Sequence, residues 1–368
     1  MAVSAREFVD GMIARGRPTR TPLVCTFEIT PTCNLRCHFC YVALDPYRGP
    51  YLSTEQMFVV LDKLADAGVL ILVLTGGEIL SRRDFSEIYL YARRKGFLVT
   101  LFTNATLVTP KVAELLAANR PHDVEVSIYG ADAAHYEGVT GIRGSFARFE
   151  RGVALLQAAG IHPLMKHTVT NLTHDHVDAI RAWCTSRGLR HKFNLDVENR
   201  YTGGQQPSLY RIEPRGVRRV ADDLHEARTG AKPPMPFAEC TAPVSSDGPA
   251  KLYQCDAGRV AFFVDALGNA SHCLTDREPS FSLLEMEWNE VWSRIGDWVG
   301  QELPADAPCS GCGLRGHCGN CPARARLATG DPYSKDPYYC DVTHAKFGLE
   351  PAVRVEPKKL RPVGGCIV

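Results

Sequence analysis

The sequence predicts an α/β protein whose first two thirds build a parallel sheet with helices between the strands. Three observations carry this: short β-rich runs alternate with longer helix-period stretches, the connections between them are short, and Gly68, Gly96 and Gly160 stand where helices should stop. After an amphipathic opening segment holding Phe8, Val9, Met12 and Ile13, strands are expected at residues 23–29, 69–74, 97–103, 124–129, 161–168 and 191–197. Helices are expected between them at 53–67, 83–95, 110–119, 145–159 and 174–187, where apolar residues recur with helical period. Such an order puts every strand C-terminus on one side, and the strand-to-helix loops there are the place to look for chemistry. Residues 213–236 then read as a mixed-charge helix with a Pro-rich exit (Pro233, Pro234, Pro236), a hinge between two units. Beyond Cys240 helical periodicity weakens and cysteine density rises, and residues 351–368, rich in Pro, Lys and Arg, read as an extended tail.

Composition narrows the function classes. A chain of 368 residues has room for two domains, and 45% hydrophobic with 23% charged residues is ordinary for a globular protein. With 42 Lys plus Arg against 41 Asp plus Glu, the formal net charge of +1 leaves no footprint for a polyanion, which speaks against nucleic-acid and membrane-surface partners. No apolar run approaches the roughly 20 residues of a membrane span. Residues 1–20 mix Arg6, Glu7, Asp10 and Arg15 into their apolar positions and lack a secretory pattern, so export is not expected. The 14 cysteines are then too many for an ordinary cytosolic enzyme and too dispersed for a disulfide scaffold, and clustered thiols read as metal ligands.

Directly after the first expected strand come Cys33, Cys37 and Cys40, a C-x3-C-x2-C loop. Structural zinc and ordinary cubane sites take four protein ligands, whereas three thiolates on a [4Fe-4S] cluster leave one iron open for a ligand that is not protein. A zinc site completed by His38 is the alternative. The loop, with an aromatic residue, Phe39, before its third cysteine, resembles the hallmark of the radical S-adenosylmethionine (SAM) superfamily. The resemblance implies that the open iron chelates the amino and carboxylate groups of SAM, and that reductive cleavage gives methionine and a 5'-deoxyadenosyl radical. It also assigns Gly76, Gly77 and Glu78, after the second strand, to the SAM ammonium, although Ile79 stands where the family usually has Pro. Ser127, at the end of the fourth strand, falls where the family places a hydroxyl near the SAM ribose or carboxylate. Asn104, Asn171, Leu195 (toward adenine) and Arg200 are further cofactor-binding candidates. Lys166, His167, Asp196 and Glu198 are candidates for base or gate, most of them read as solvated or paired.

The last third holds Cys255, Cys273, Cys309, Cys312, Cys318, Cys321 and Cys340, seven thiols with two nested C-x2-C pairs. Two zinc sites would also use them. The array resembles the SPASM domain, the extension of one radical SAM subgroup that carries two auxiliary [4Fe-4S] clusters. Its interleaved connectivity implies Cys255, Cys273 and Cys321 on the cluster nearer the active site, and Cys309, Cys312, Cys318 and Cys340 on the distal one. One ligand is then lacking; Cys240 is the best candidate, with Cys366 or an open auxiliary iron as alternatives. Cys25 and Cys184 read as buried apolar residues. The family's usual pattern has three residues between the last two cysteines of this run, where this chain has two, between Cys318 and Cys321.

The resemblance therefore implies a partial (β/α)6 TIM-like barrel followed by a SPASM domain, divided as an N-terminal helical segment at 1–20, a radical SAM core at 21–212, a helical bridge at 213–239, an auxiliary-cluster domain at 240–345 and a tail at 346–368. The enzyme expected abstracts hydrogen from its substrate and passes an electron to the auxiliary clusters, for net oxidation. A peptide or protein side chain is the expected substrate; a sugar, aminocyclitol or tetrapyrrole is the alternative, and a non-enzymatic iron-sulfur electron carrier is the alternative of another class. An external donor such as flavodoxin or ferredoxin is implied. With 24 residues ahead of Cys25 there is no room for the N-terminal peptide-recognition domain that many such enzymes carry, so a separate recognition protein or direct docking is expected. Oxygen-sensitive clusters place the protein in a reducing cytoplasm.

Overall fold

The computed structural model describes residues 5–42, 50–230 and 251–349. Helix α1 (Ala5–Thr19) leads into β1 (Val24–Thr30), α2 (Thr54–Asp66), β2 (Ile71–Gly76), α3 (Phe85–Arg94), β3 (Leu98–Thr103), α4 (Pro110–Ala118) and β4 (Asp123–Ser127). Then follow α5 (Ala133–Thr140), α6 (Ser145–Ala158), β5 (Leu164–Thr168), α7 (Val177–Ser186), β6 (His191–Asn194) and α8 (Pro214–Thr229). The C-terminal part holds β7 (Ala261–Val264), β8 (Asn269–Ser271), β9 (Ser280–Ser282), α9 (Trp288–Val299), α10 (Pro322–Thr329) and α11 (Pro337–Lys346).

Strands β1 to β6 pair in parallel in chain order, the α/β arrangement that the alternation predicts, and the sheet stays open beyond β6. On its other edge β1 takes β7 as a parallel neighbour, from Val24 opposite Ala261 to Phe27 opposite Val264, and β8 and β9 continue antiparallel. The cysteine-rich part thus shares the sheet of the first part. The Pro-rich stretch 232–236, Cys240 and Cys366 lie outside the described residues.

Local chemistry explains the element ends. Ser53 accepts from the Gln56 N–H while Gln56 accepts from the Ser53 N–H, a capping box that starts α2. Gly68, Gly96 and Gly160 sit at φ of 86°, 91° and 73°, the left-handed turn that ends a helix and that side-chain-bearing residues resist. Buried Phe27, Leu72, Leu74 and Val99 on the strands meet Met57 and Leu61 on α2 in the main core, each contributing about 1.5–3 kcal/mol on burial.

Helices α5, α9, α10 and α11 are absent from the sequence expectation. Helix α5 has only eight residues and includes Gly138, so its apolar period is too short to read; its N-cap Asp132, accepting from the His135 N–H, was the available signal. Helix α9, where periodicity was expected to weaken, buries Val291, Ile295 and Val299. Among the described residues no helix is long and apolar enough to cross a membrane.

Candidate active site and auxiliary cysteine sites

The three N-terminal thiols lie on the loop that leaves β1 at the C-terminal edge of the sheet. Helix α5, absent from the sequence reading, holds that loop: the Arg36 N–H donates to the Thr140 carbonyl at 2.9 Å and the His38 N–H to the Val139 carbonyl at 3.2 Å. Phe39 packs with Val139 and Val197 and meets Tyr129 edge-on at 5.4 Å, which anchors this residue between Cys37 and Cys40. Asn104 donates to the Cys33 sulfur at 3.8 Å and to Asn34 at 3.0 Å. Burial pushes the Cys33 thiol up to about 11 and raises Cys37 and Cys40 as well, so bound metal must displace protons to gain thiolates.

These thiols share one cavity of about 380 Å³ with Gly76, Gly77, Asn104, Ser127 and Tyr129. Gly76 and Gly77 are required by a close approach: a Cβ on Gly76 would lie 2.1 Å from the Thr30 carbonyl, and one on Gly77 would lie 2.4 Å from that of Pro31. The Gly77 and Glu78 N–H groups donate to the carbonyls of Thr30 and Thr32, both at 2.8 Å, tying the glycine segment to the cysteine loop. Ser127 stands at the mouth of β4 beside Tyr129, its hydrogen-bond partner.

Glu78 is placed differently from the ligand-facing role expected of it. Its carboxylate is buried and accepts from the Thr103 hydroxyl at 2.7 Å and the N–H groups of Asn104 at 2.6 Å and Leu80 at 3.1 Å. It joins the β2 and β3 loops from behind the cavity. Glu78→Gln would turn an amide NH2 toward one of these donors, leaving buried groups unpaired. A loss of about 1–3 kcal/mol in denaturant unfolding is expected; an unchanged midpoint would contradict this geometry.

Other expected residues separate. Asn171 is exposed, with its side chain donating to the Leu209 carbonyl at 2.9 Å, and Leu195 packs with a second apolar cluster containing Val169, Val177 and Ile212; neither lines the cavity. His167 borders the cavity, but its ring nitrogens meet the Ile128 carbonyl and the Thr173 hydroxyl, and burial lowers its pKa to about 4. It is a neutral strand-to-strand tie. Lys166 faces the cavity with Lys192, and both pair with Glu125, at 2.8 and 3.2 Å. Asp196 and Glu198 face it as well, each bound by Arg324 of α10, at 2.9 and 2.5 Å. Leu274, next to Cys273, completes the lining. Tyr129, Lys192, Leu274 and Arg324 had no motif to betray them; only strand alternation marked Lys192 as sharing a face with Asn194.

Five of the seven C-terminal thiols gather in one place. Cys309, Cys312, Cys318, Cys321 and Cys340 line a cavity of about 240 Å³. Burial raises the Cys309 and Cys340 thiols, and the charges of Cys318 and Cys312 raise both further. Asn320 donates to the Cys309 and Cys318 sulfurs and Thr343 to Cys318. Cys321 instead also senses Cys273, which senses Cys255.

The first donor set, Cys33, Cys37 and Cys40, fits an iron-sulfur cubane better than zinc. His38, the fourth ligand of a zinc site, stacks on Tyr210 at 5.7 Å and does not line the cavity. Cys33, Cys37 and Cys40 instead line one cavity, as a cluster with several metal corners needs.

Comparison with known proteins gives the family. Residues 27–183 match the family model of the radical SAM superfamily. The chain is 31% identical to the mycofactocin maturase MftC of Mycobacterium ulcerans, over 84% of this chain and 85% of that one. It is 26% identical to the AdoMet-dependent heme synthase of Methanosarcina barkeri, over 87% and 97%. In fold it is similar to Streptococcus suis SuiB bound to its precursor peptide SuiA, with a TM-score of 0.69 at 17% identity, covering 92% of this chain and 82% of that one. It is likewise similar to anSMEcpe with bound AdoMet, with a TM-score of 0.65 at 17% identity, covering 89% and 96%.

Proposed function

The chain belongs to the radical SAM superfamily, and from that premise we propose that it is a SPASM-type maturase that oxidises a peptide side chain, with Cys33, Cys37 and Cys40 holding the SAM-binding [4Fe-4S] cluster. The observation that carries this is the meeting of these thiols, the Gly76–Gly77 backbone and Ser127 around one cavity at the strand C-termini. When bound, the reduced cluster and SAM supply a 5'-deoxyadenosyl radical that removes hydrogen from an unactivated carbon. The protein's own part is positioning. Three thiols leave a corner for SAM, the Gly76–Gly77 backbone brings carbonyls near its amino group, and Ser127 offers a hydroxyl to its ribose or carboxylate. Tyr129, Phe102 and Val197 keep water from the reacting atoms.

Cys255, Cys273 and Cys321, with Cys240, would hold one auxiliary cluster, and Cys309, Cys312, Cys318 and Cys340 the other. Leu274 supports a direct electron route, because it borders the cavity while its neighbour Cys273 belongs to the nearer group. An external flavodoxin or ferredoxin would provide reducing electrons, and a separate recognition protein or direct docking would present the peptide. MftC and the SuiA complex of SuiB favour a peptide substrate. A tetrapyrrole is the second reading, favoured by the heme synthase that this chain matches over nearly its whole length.

The test pairs reduced holoenzyme with precursor peptides and with tetrapyrroles, and uses mass spectrometry to seek a product lighter by two hydrogens. Cys273→Ala is expected to keep 5'-deoxyadenosine formation while lowering oxidised product by more than about tenfold. Equal product from the variant would contradict the electron route.

A further inference from the structure

We propose that Lys166 and Lys192 form a carboxylate-recognition site in the reaction cavity, so that the peptide taken up presents an acidic group there, either a free C-terminus or an Asp or Glu side chain. The inference rests on the peptide-oxidising reading and deepens it by naming what the substrate must carry. Lys166 of β5 stands in register between Ser127 of β4 and Lys192 of β6, and all three line the cavity. This row runs from the hydroxyl assigned to SAM out to β6, where the sheet stays open. Glu125 of β4 takes both ammonium groups, Lys166 at 2.8 Å and Lys192 at 3.2 Å, and is not itself part of the cavity lining. The Phe102 ring underlies Lys166, whose Nζ is 3.6 Å from the ring centroid.

Two ammonium groups on one carboxylate leave one positive charge uncompensated. In a partly buried cavity such a charge gains far more from an anion than it would in open water. The acids of the cavity do not supply that anion, because Arg324 holds both Asp196 and Glu198, at 2.9 and 2.5 Å. Nor does Arg200 compete as a cation: it is absent from the lining and donates to Gln206 at 2.5 Å. A carboxylate has two oxygens and can bridge the two lysines from the cavity as Glu125 does from the other side. Burial lowers the Lys166 pKa, Glu125 opposes this and Lys192 adds to it, so a second carboxylate would relieve the repulsion between the ammonium groups. The carboxylate of SAM is committed to the open iron on the same reading, which leaves the lysines to the substrate.

The test titrates the anaerobically reconstituted, SAM-loaded full chain with N-acetylated alanine peptides that differ only in where a carboxylate stands: at a free C-terminus, on a Glu side chain of a C-terminal amide, or nowhere. Affinities are read by saturation-transfer NMR of the peptides. At least one acidic peptide is expected to bind about tenfold more tightly than the neutral one, and the better of the two identifies the source of the acidic group. Lys192→Met, which leaves Lys166 and Glu125 as a balanced pair, should cut that preference to within about twofold, whereas Lys192→Arg should keep most of it. Glu125→Gln, which adds to the uncompensated charge, should raise the preference, and it carries the test if Lys192→Met fails to fold. Equal binding of all the peptides, a preference untouched by Lys192→Met, or a lower one in Glu125→Gln overturns the proposal. So does a Lys192→Met protein whose loss is confined to isotope-labelled SAM, because the cofactor's own carboxylate is then the occupant. Acidic preference together with SAM cleavage, but with no precursor peptide oxidised, would instead overturn the peptide-oxidising reading and leave the carboxylate site standing.

Discussion

If the chain holds the three proposed clusters, replacing Cys33, Cys37 and Cys40 together by Ala is expected to remove about four of about 12 irons and to abolish SAM cleavage. The expectation follows from the separation of the donor sets. The loop after β1 lies against α5, whereas the other seven thiols sit in the C-terminal part, around Cys273 and around the smaller cavity. Losing the first set leaves the others intact, so about two thirds of the iron should stay. The fold should also survive, because Leu35 and Phe39 pin the loop through packing that the substitutions leave alone. Iron assay and chromatographic quantification of 5'-deoxyadenosine check both halves. A variant that keeps all its iron, or that still cleaves SAM, would contradict the assignment.

Arg277→Met is expected to destabilise the protein by about 3–5 kcal/mol, the usual cost of removing one partner from a buried ion pair. Arg277 follows the Cys273 loop and reaches β1, where its guanidinium meets Glu28 at 2.7 Å; Glu28 is 1% exposed. The same guanidinium lies over the rings of Tyr201 at 3.5 Å and Phe263 at 4.4 Å. It therefore joins β1, β7 and the segment carrying Arg200. Burial already raises the Glu28 pKa and Arg277 opposes that shift, so without Arg277 the carboxyl moves higher still. A carboxyl raised in the folded state contributes stability below its unfolded pKa and loses it as pH rises through the folded value. The deficit of Arg277→Met should thus be smaller at mildly acidic pH than in alkaline buffer, and Glu28→Gln added to it should recover part of the loss. Denaturant unfolding of anaerobic protein measures both, and a pH-independent deficit would contradict the burial of this pair.

Much of the fold was legible because parallel strands covered by helices read as apolar runs, and glycines marked the helix ends. The expected run 97–103 became Leu98–Thr103, and 110–119 became Pro110–Ala118. The cysteine loop was legible because its spacing is contiguous. What escaped depends on contacts between distant segments. Nothing local in Ala133–Thr140 says that its last carbonyls hold the cysteine loop, and nothing in Gly-Gly-Glu says that the carboxylate turns away to bind Thr103 and Asn104. Asn171 and Leu195 were placed by strand-end position alone, and the chain turns each of them from the cavity, one to Leu209 and the other into an apolar cluster. Arg324 lies more than a hundred residues from the carboxylates it binds, Asp196 and Glu198, and only the packing of α10 against that loop reveals the link.

The central claim is that three thiolates leave a metal corner to which SAM itself attaches. Electron-nuclear double resonance on the reduced, iron-loaded full chain, with SAM isotope-labelled at its amino and carboxylate groups, tests it most directly. Coupling of both labels to the cluster is the predicted result. A cluster spectrum that does not respond to labelled SAM, or zinc in place of iron behind Cys33, Cys37 and Cys40, would contradict it.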